Sequence, residues 1–124
     1  MSAADDLQAR TDAFADLSIK FVTGLPGTPR VQKLASQFQA SSTSVGANYR
    51  AARRAKSHAD FTSKIGTVSE EADESVYWLT RMNNNGIRSA LVDIQVLLKE
   101  ADELARIFGA VHRTAKRRRR RYKQ

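Results

Sequence analysis

The chain has 124 residues, with 21 lysines and arginines against 13 acidic residues and a formal net charge of +8 at pH 7. It has no cysteine, which excludes disulfides, thiolate catalysis and cysteine-ligated zinc or iron–sulfur sites. The length predicts a single domain, and because neither a secretory signal nor an apolar run that could span a bilayer is visible, we expect a soluble cytoplasmic protein without membrane contact.

The first predicted element is a helix over residues 3–23. Its apolar residues Leu7, Phe14, Leu17 and Phe21 fall on one stripe, although the stripe is weaker than those that follow. The segment ends before the only two prolines of the chain, at 26 and 29, which enclose Gly27. Proline cannot continue a helix and glycine eases a turn, so this is the clearest break in the sequence.

Two further helices are predicted over residues 30–55 and 58–83. In both, apolar or small residues recur in alternating steps of three and four, which is helical spacing. The first stripe is Val31, Ala35, Phe38, Ser42, Val45, Tyr49 and Ala52. The second stripe is Phe61, Ile65, Val68, Ala72, Ser75, Leu79 and Met82. Ser57, followed by Asp60, is typical of a helix N-cap.

A fourth helix is predicted over residues 87–115, after the turn-forming run Asn83–Gly86. Its stripe contains Ile87, Leu91, Ile94, Leu98, Ala101, Leu104, Phe108 and Val111. Strand-like alternation is absent from the sequence beyond a few residues. Four long helices with short connections predict an all-α fold, an up-down-up-down antiparallel four-helix bundle formed by residues 1–115.

The positive charge is concentrated at the C-terminus. Residues 116–124 hold seven of the 21 cations and no acid, which leaves 14 cations and 13 acids in residues 1–115, a net charge of +1. We predict that residues 116–124 are a disordered tail that contacts nucleic-acid phosphates. The alternatives are a mobile solubilising end and attraction to a membrane surface. The predicted contacts are Arg113, Lys116, Arg117, Arg118, Arg119, Arg120, Arg121 and Lys123.

A second basic cluster lies near the end of the second helix and consists of Arg50, Arg53, Arg54 and Lys56. Three interpretations stay open: compensation of the helix dipole, ion pairing with an acidic neighbour, or phosphate binding. The acidic match is a run of four carboxylates on the third helix, Glu70, Glu71, Asp73 and Glu74.

Catalytic and metal sites are not predicted. The Glu-x-x-His pairs of di-iron bundles are missing from the sequence, as is a phosphate-binding glycine loop. We therefore expect a protein that is not an enzyme and that needs no cofactor. Adjacent Tyr77 and Trp78 cannot both face one core, so one is expected to contact a neighbouring subunit, with nucleobase stacking as the alternative. The residues assigned to an oligomer interface are Asn48, Tyr49, Glu71, Glu74, Tyr77 and Trp78.

Two stretches carry a family resemblance. The segment from Gly46 through Asn48-Tyr49-Arg50 to Phe61, together with Glu71-Ala72-Asp73-Glu74-Ser75-Val76-Tyr77-Trp78-Leu79, resembles the signature of a bacterial four-helix-bundle family. Its members were first noticed as open reading frames in 23S ribosomal RNA intervening sequences. The resemblance implies a homopentameric ring of bundles. It also implies kinship with the accessory protein of diversity-generating retroelements, which binds nucleic acid and a reverse transcriptase.

The expected function is that of a non-enzymatic oligomeric scaffold that binds RNA or DNA phosphates with little sequence preference. The alternative is an adaptor ring that recruits another protein, for example a reverse transcriptase, and has no direct nucleic-acid role.

Overall fold

The computed structural model describes the backbone of residues 2–123 and the side chains of residues 2–118. Four helices account for most of this range: α1 (Ala3–Thr23), α2 (Pro29–Arg53), α3 (His58–Asn84) and α4 (Ile94–Lys123). The predicted all-α four-helix bundle is confirmed, since the residues that the structure describes contain no strand. The predicted bounds of the first three helices are correct to within two residues.

The helices pack in chain order. Each of the pairs α1–α2, α2–α3 and α3–α4 is in contact, and α4 closes the bundle against α1 over a shorter length. The predicted stripes meet inside, where the rings of Phe21 and Phe38 pack edge to face with centroids 5.8 Å apart. The small seam residues are also buried as predicted, which lets the helices approach closely; these are Ala35, Ser42, Ala52, Ala72 and Ser75.

Two helix starts are fixed by serine caps. Ser57 Oγ accepts a hydrogen bond of 3.1 Å from the backbone N–H of Asp60, as the sequence predicts. At the start of α1, Ser2 Oγ accepts from the Asp5 N–H, and the Asp5 carboxylate accepts from the Ser2 N–H in return. This reciprocal pair satisfies two backbone donors that would otherwise lack a partner.

The predicted start of the fourth helix is wrong, because α4 begins at Ile94 and not at residue 87. The intervening segment turns at Gly86, whose φ of +70° favours glycine, and then the Ala90 N–H donates to the Gly24 carbonyl. Ile87 is buried in this loop without being helical. Asp93 Oδ1 accepts from the Gln95 N–H at 2.9 Å and marks the true start. The apolar spacing ran through the loop by coincidence.

The prediction of a disordered tail is also wrong for the backbone of residues 116–123, which continues α4 as far as Lys123. Arginine and lysine are good helix formers, and adding them to an existing helix avoids the cost of nucleation. Cations in a last turn also interact favourably with the helix dipole. The predicted phosphate contacts of Arg119, Arg120, Arg121 and Lys123 concern side chains outside the described residues.

Candidate nucleic-acid interface

One end of the bundle gathers both basic clusters of the sequence. The antiparallel order places the start of α1, the end of α2, the start of α3 and the end of α4 side by side. Two contacts fix this arrangement: Arg53 Nη2 lies 2.6 Å from Asp5 Oδ1, and His58 Nε2 lies 2.9 Å from the Ala115 carbonyl oxygen. We call the surface formed by residues 2–8, 50–60 and 113–123 the basic end.

The α2 part of the basic end contains three arginines, all of them exposed. Arg53 pairs with Asp5, and its guanidinium lies 6.0 Å from the ring centroid of Tyr49. Arg50 and Arg54 form no ion pair within the described part of the chain. Arg50 lies in the last turn of α2 and Arg54 is its C-cap residue, so both positions suit the helix dipole, and this structural role is compatible with anion binding.

The α4 part of the basic end projects beyond its neighbours. Ala115 is the level at which α4 meets His58 of α3, and eight more helical residues follow it. At 1.5 Å per residue they extend about 12 Å further. Lys116, Arg117 and Arg118 are exposed, as is Arg113 before them. None of these four cations pairs with an acid among the side chains that are described.

Two of the three acidic residues at the same end, Asp5 and Asp60, already have ion-pair partners. The hydrogen bond from Arg53, followed by the bonds to Ser2, lowers the pKa of Asp5 below its ordinary value. Asp60 accepts from Lys64 Nζ at 2.6 Å, and this bond is the main reason why its pKa is lowered. The described side chains of this end hold eight lysines and arginines against three aspartates, so cations are in excess there even though Asp6 forms no ion pair among them.

A groove opens between α1 and α2 beside the basic end. Its volume is about 670 Å³. We call it the α1–α2 groove; its lining includes Gln8, Asp12, Gly46, Ala47, Arg50, Arg53 and Arg54. The sequence predicts the arginines of the groove but not Gln8 and Asp12. The α1 and α2 sides of the groove lie nearly 40 positions apart in the chain and share no local motif.

The acidic run of α3 lies away from these arginines. Burial raises the pKa of Glu71 above its ordinary value, and the negative charges of Glu74 and Glu70 add to this effect. His112 of α4 packs nearby against α3, and its pKa is lowered by burial and by Lys116, with Glu70 acting in the opposite direction. Within one chain, no described residue of the acidic run pairs with the basic clusters. Pairing between chains stays a prediction.

The predicted interface residues do not all lie on the surface. Tyr49 is buried at 7% exposure and packs on Phe108 with ring centroids 5.2 Å apart, so little of its side chain is left to contact a neighbouring subunit. Its place on the apolar stripe of α2 explains the burial. Asn48 is half-buried, and its amide donates to the Ser44 carbonyl of its own helix.

Tyr77 and Trp78 divide as their adjacency predicts. Tyr77 is 54% exposed, whereas Trp78 is half-buried and packs edge-on against the Tyr77 ring at 5.0 Å. The guanidinium of Arg81 lies 5.4 Å from the Tyr77 centroid. Together with Leu34 of α2, these side chains border a shallow groove of about 310 Å³. We call it the aromatic patch; the interface roles of Tyr77, Trp78, Glu71, Glu74 and Asn48 stay predictions.

The described residues contain neither a membrane-spanning helix nor a cluster of metal ligands. No helix within residues 2–123 combines the length and apolar character needed to cross a bilayer. Among the side chains described, no three His, Asp or Glu residues are grouped as metal ligands would be.

The fold and the charge distribution define an all-α, up-down-up-down helical bundle with one strongly basic end. The chain belongs to the 23S rRNA-intervening sequence protein family, whose model matches residues 6–110, and the family resemblance of the sequence is therefore confirmed. A search of curated proteins found no match.

The fold also resembles a crystal structure from Bacteroides thetaiotaomicron, described as a protein of unknown function from the S23 ribosomal protein family. The two structures align with a TM-score of 0.73 and 23% identity over 89% of this chain and 97% of that chain. At this identity the likeness supports the fold alone.

Proposed function

We propose that this protein is a non-enzymatic scaffold that binds RNA or DNA phosphates through its basic end, with little sequence preference. One observation carries the proposal: the ends of α2 and α4 bring Arg50, Arg54, Lys116, Arg117 and Arg118 to one end of the bundle without acidic partners among the described residues. Unpaired arginines suit phosphates because the guanidinium offers several donors in a fixed plane.

The helical form of the α4 end changes the expected strength of binding. A flexible tail can direct all seven cations of residues 116–124 towards one nucleic acid, whereas a rigid helix presents about half of its side chains to one partner. Each phosphate neutralised on duplex DNA contributes about −0.9 to the slope of log K against log salt. We therefore expect these residues to contribute a slope of about −3 per chain. An oligomer would present several basic ends to one nucleic acid, and their simultaneous binding would raise the overall affinity.

The test compares the full chain with a chain ending at Ala115 in binding to a short RNA and a short duplex DNA over a salt series. The truncated chain should bind both more weakly, with a slope smaller by about 3. A full-length variant, Lys116→Gln/Arg117→Gln/Arg118→Gln, keeps the length of the helix and removes only charge, so it should change in the same direction.

The matched control is Lys99→Gln/Arg106→Gln, which removes two exposed cations from the middle of α4. It should leave the salt slope nearly unchanged. Equal affinity of the full and truncated chains, or an equal loss in the control, would reject the basic end as the binding surface.

A second candidate function is a protein adaptor, and the exposed aromatic patch favours it. Tyr77 presents more than half of its surface to solvent beside Trp78 and Leu34, and aromatic residues with polar tips are enriched in protein interfaces. We propose that the patch contacts another copy of this chain, within a homo-oligomer of which a pentamer is the expected form. Recruitment of a reverse transcriptase or another protein is the further role that such a ring would serve.

Light scattering measures the mass of the assembly in solution and so tests whether the chain forms a homo-oligomer. If the wild type has the mass of several chains and Tyr77→Gln lowers that mass, the patch is supported as the subunit contact. The matched control is Val96→Gln, on an apolar residue of α4 that is equally exposed, and it should leave the mass unchanged. A monomeric wild type would reject the oligomer and, with it, the avidity of the basic ends.

A further inference from the structure

The α1–α2 groove combines arginines with a carboxylate and an amide, which phosphate binding alone does not require. Gly46 and Ala47 form its floor on α2, where the absence of larger side chains leaves an open space of about 670 Å³. A β-carbon at Gly46 would lie 2.9 Å from Asp12 Oδ1 and 3.1 Å from Thr11 Oγ1. The two helices therefore approach closely at this point and the groove widens beyond it.

One part of the groove is cationic. Arg50, Arg53 and Arg54 line it within a little more than one turn of α2. Arg53 uses Nη2 to hold Asp5 and keeps its other N–H groups. Arg50 and Arg54 have no ion-pair partner among the described residues. Three guanidinium groups around one opening suit a phosphate group.

The other part of the groove offers a carboxylate. Gln8 Nε2 donates to Asp12 Oδ1 at 3.0 Å and to the Gly46 carbonyl at 3.1 Å. A reversed Gln8 amide would set its oxygen against these two acceptors, so its orientation is determined. Gln8 thus positions the exposed Asp12 carboxylate, whose Oδ2 accepts no hydrogen bond from the described side chains or backbone.

These two parts are separated by the length of one ligand. Gly46, beside Asp12, lies four to eight residues before the three arginines, which corresponds to about 6–12 Å along the helix axis. A nucleoside phosphate can span such a distance from its phosphate to the outer edge of its base.

We propose that the α1–α2 groove is a nucleotide-binding site, in which Arg50, Arg53 and Arg54 hold a 5′-phosphate and Asp12 reads the base edge. A carboxylate accepts hydrogen bonds only. Guanine presents two adjacent donors, its N1–H and its amino group, and so fits a carboxylate better than bases that present one. The ligand is a guanosine 5′-phosphate, either free or at the 5′ end of a single strand. This inference deepens the proposed function and rests on it.

The test titrates the full chain with GMP, AMP, CMP and UMP by calorimetry or protein NMR. GMP should bind saturably, about tenfold more tightly than the other three, and inorganic phosphate should compete. Arg54→Gln should weaken all four nucleotides about tenfold, whereas Asp12→Asn should remove the preference for GMP. Arg30→Gln, an exposed arginine at the far end of α2, is the matched control and should change nothing.

A second variant guards against loss of folding. Ala47 is exposed, so Ala47→Trp should fill the groove and abolish GMP binding while the helical circular dichroism is retained. A 5′-phosphorylated guanine-first strand that binds far more tightly than GMP would identify the strand end as the ligand, and equal affinity would identify the free nucleotide.

Three results would overturn the inference: no saturable binding of GMP, equal binding of all four nucleotides by the wild type, or an equal loss in Arg30→Gln. Its failure can be told apart from failure of the proposed function. A wild type that binds RNA in a salt-dependent way but does not bind GMP would reject only the groove. GMP binding that survives truncation at Ala115, without any effect of truncation on RNA binding, would reject only the role of the α4 end.

Discussion

Arg10 and Arg106, in the middle of the bundle, have acidic partners, whereas most of the cations at the basic end do not. In the middle, Arg10 of α1 bonds to Glu100 at 2.6 Å and to Glu103 at 2.5 Å on α4. At the basic end, Arg50, Arg54 and Arg117 have no such pair among the described residues. Arg10 therefore links α1 to α4, whereas the arginines of the basic end are available to the phosphates that we propose as ligands.

The largest effect is expected from breaking the packed middle. Phe108 is fully buried against Tyr49, so Phe108→Ala should lower the free energy of unfolding by about 3–5 kcal/mol, measured by urea denaturation. Val96→Ala on the same helix removes a side chain that is 53% exposed and should cost less than about 0.5 kcal/mol. Equal losses would contradict the assignment of the core.

Loss of the Arg10 ion pairs should lower the free energy of unfolding by less than loss of core packing, but by a measurable amount. Its bonds to Glu100, then to Glu103, raise the pKa of Arg10 above its ordinary value, and they hold α1 against α4. Arg10→Met should cost about 1 kcal/mol, because the pair is partly exposed and leaves two carboxylates together. Arg106→Gln breaks a pair whose arginine is 80% exposed and should be nearly neutral. A neutral Arg10→Met would remove the distinction between the two regions.

At the basic end, substitutions should weaken nucleic-acid binding and leave the stability of the fold almost unchanged. Arg117→Gln/Arg118→Gln should leave the urea midpoint almost unchanged, since both side chains are exposed and unpaired within the described chain. The same variant should reduce the salt slope of duplex DNA binding by up to about 2. A loss of stability with unchanged binding would show that these arginines serve the fold.

The smallest effect concerns pH and His112, whose ring packs against Gly66 of α3. Burial lowers the pKa of His112 in the folded state, so the folded protein holds fewer protons than the unfolded chain near the ordinary value of 6.5. Stability should therefore fall as pH decreases from 7 through that range. His112→Gln should reduce this dependence in urea titrations at pH 7 and pH 5.5; an unchanged dependence would assign it to other groups.

The sequence predicts the bundle well because burial alone dictates it. The stripes of α2 and α3 follow the helical period, and Pro26 and Pro29 mark a true break. Spacing fails where a loop residue is buried for tertiary reasons: Ile87 fits the period yet lies in a loop held against Gly24. The missed signal was Asp93, a good N-cap residue directly before Ile94.

The candidate site is predicted less completely, and for a different reason. Composition identifies its arginines, but whether Lys116 and its neighbours are helical depends on the helix that precedes them. Tyr49 belongs both to the family signature and to the core stripe, and the structure shows that its side chain is buried in the core. Gln8 and Asp12 face Gly46 across two helices, a juxtaposition that a local pattern does not contain.

The most direct measurement of the central claim is a residue-resolved NMR titration of the full chain with a short RNA at low and high salt. Chemical-shift changes should cluster at residues 50–56 and 113–123 and should disappear at high salt, while the acidic run of α3 and the α1–α2 turn stay unchanged. Changes centred on the acidic run or on the opposite end of the bundle, or changes that persist at high salt, would contradict it.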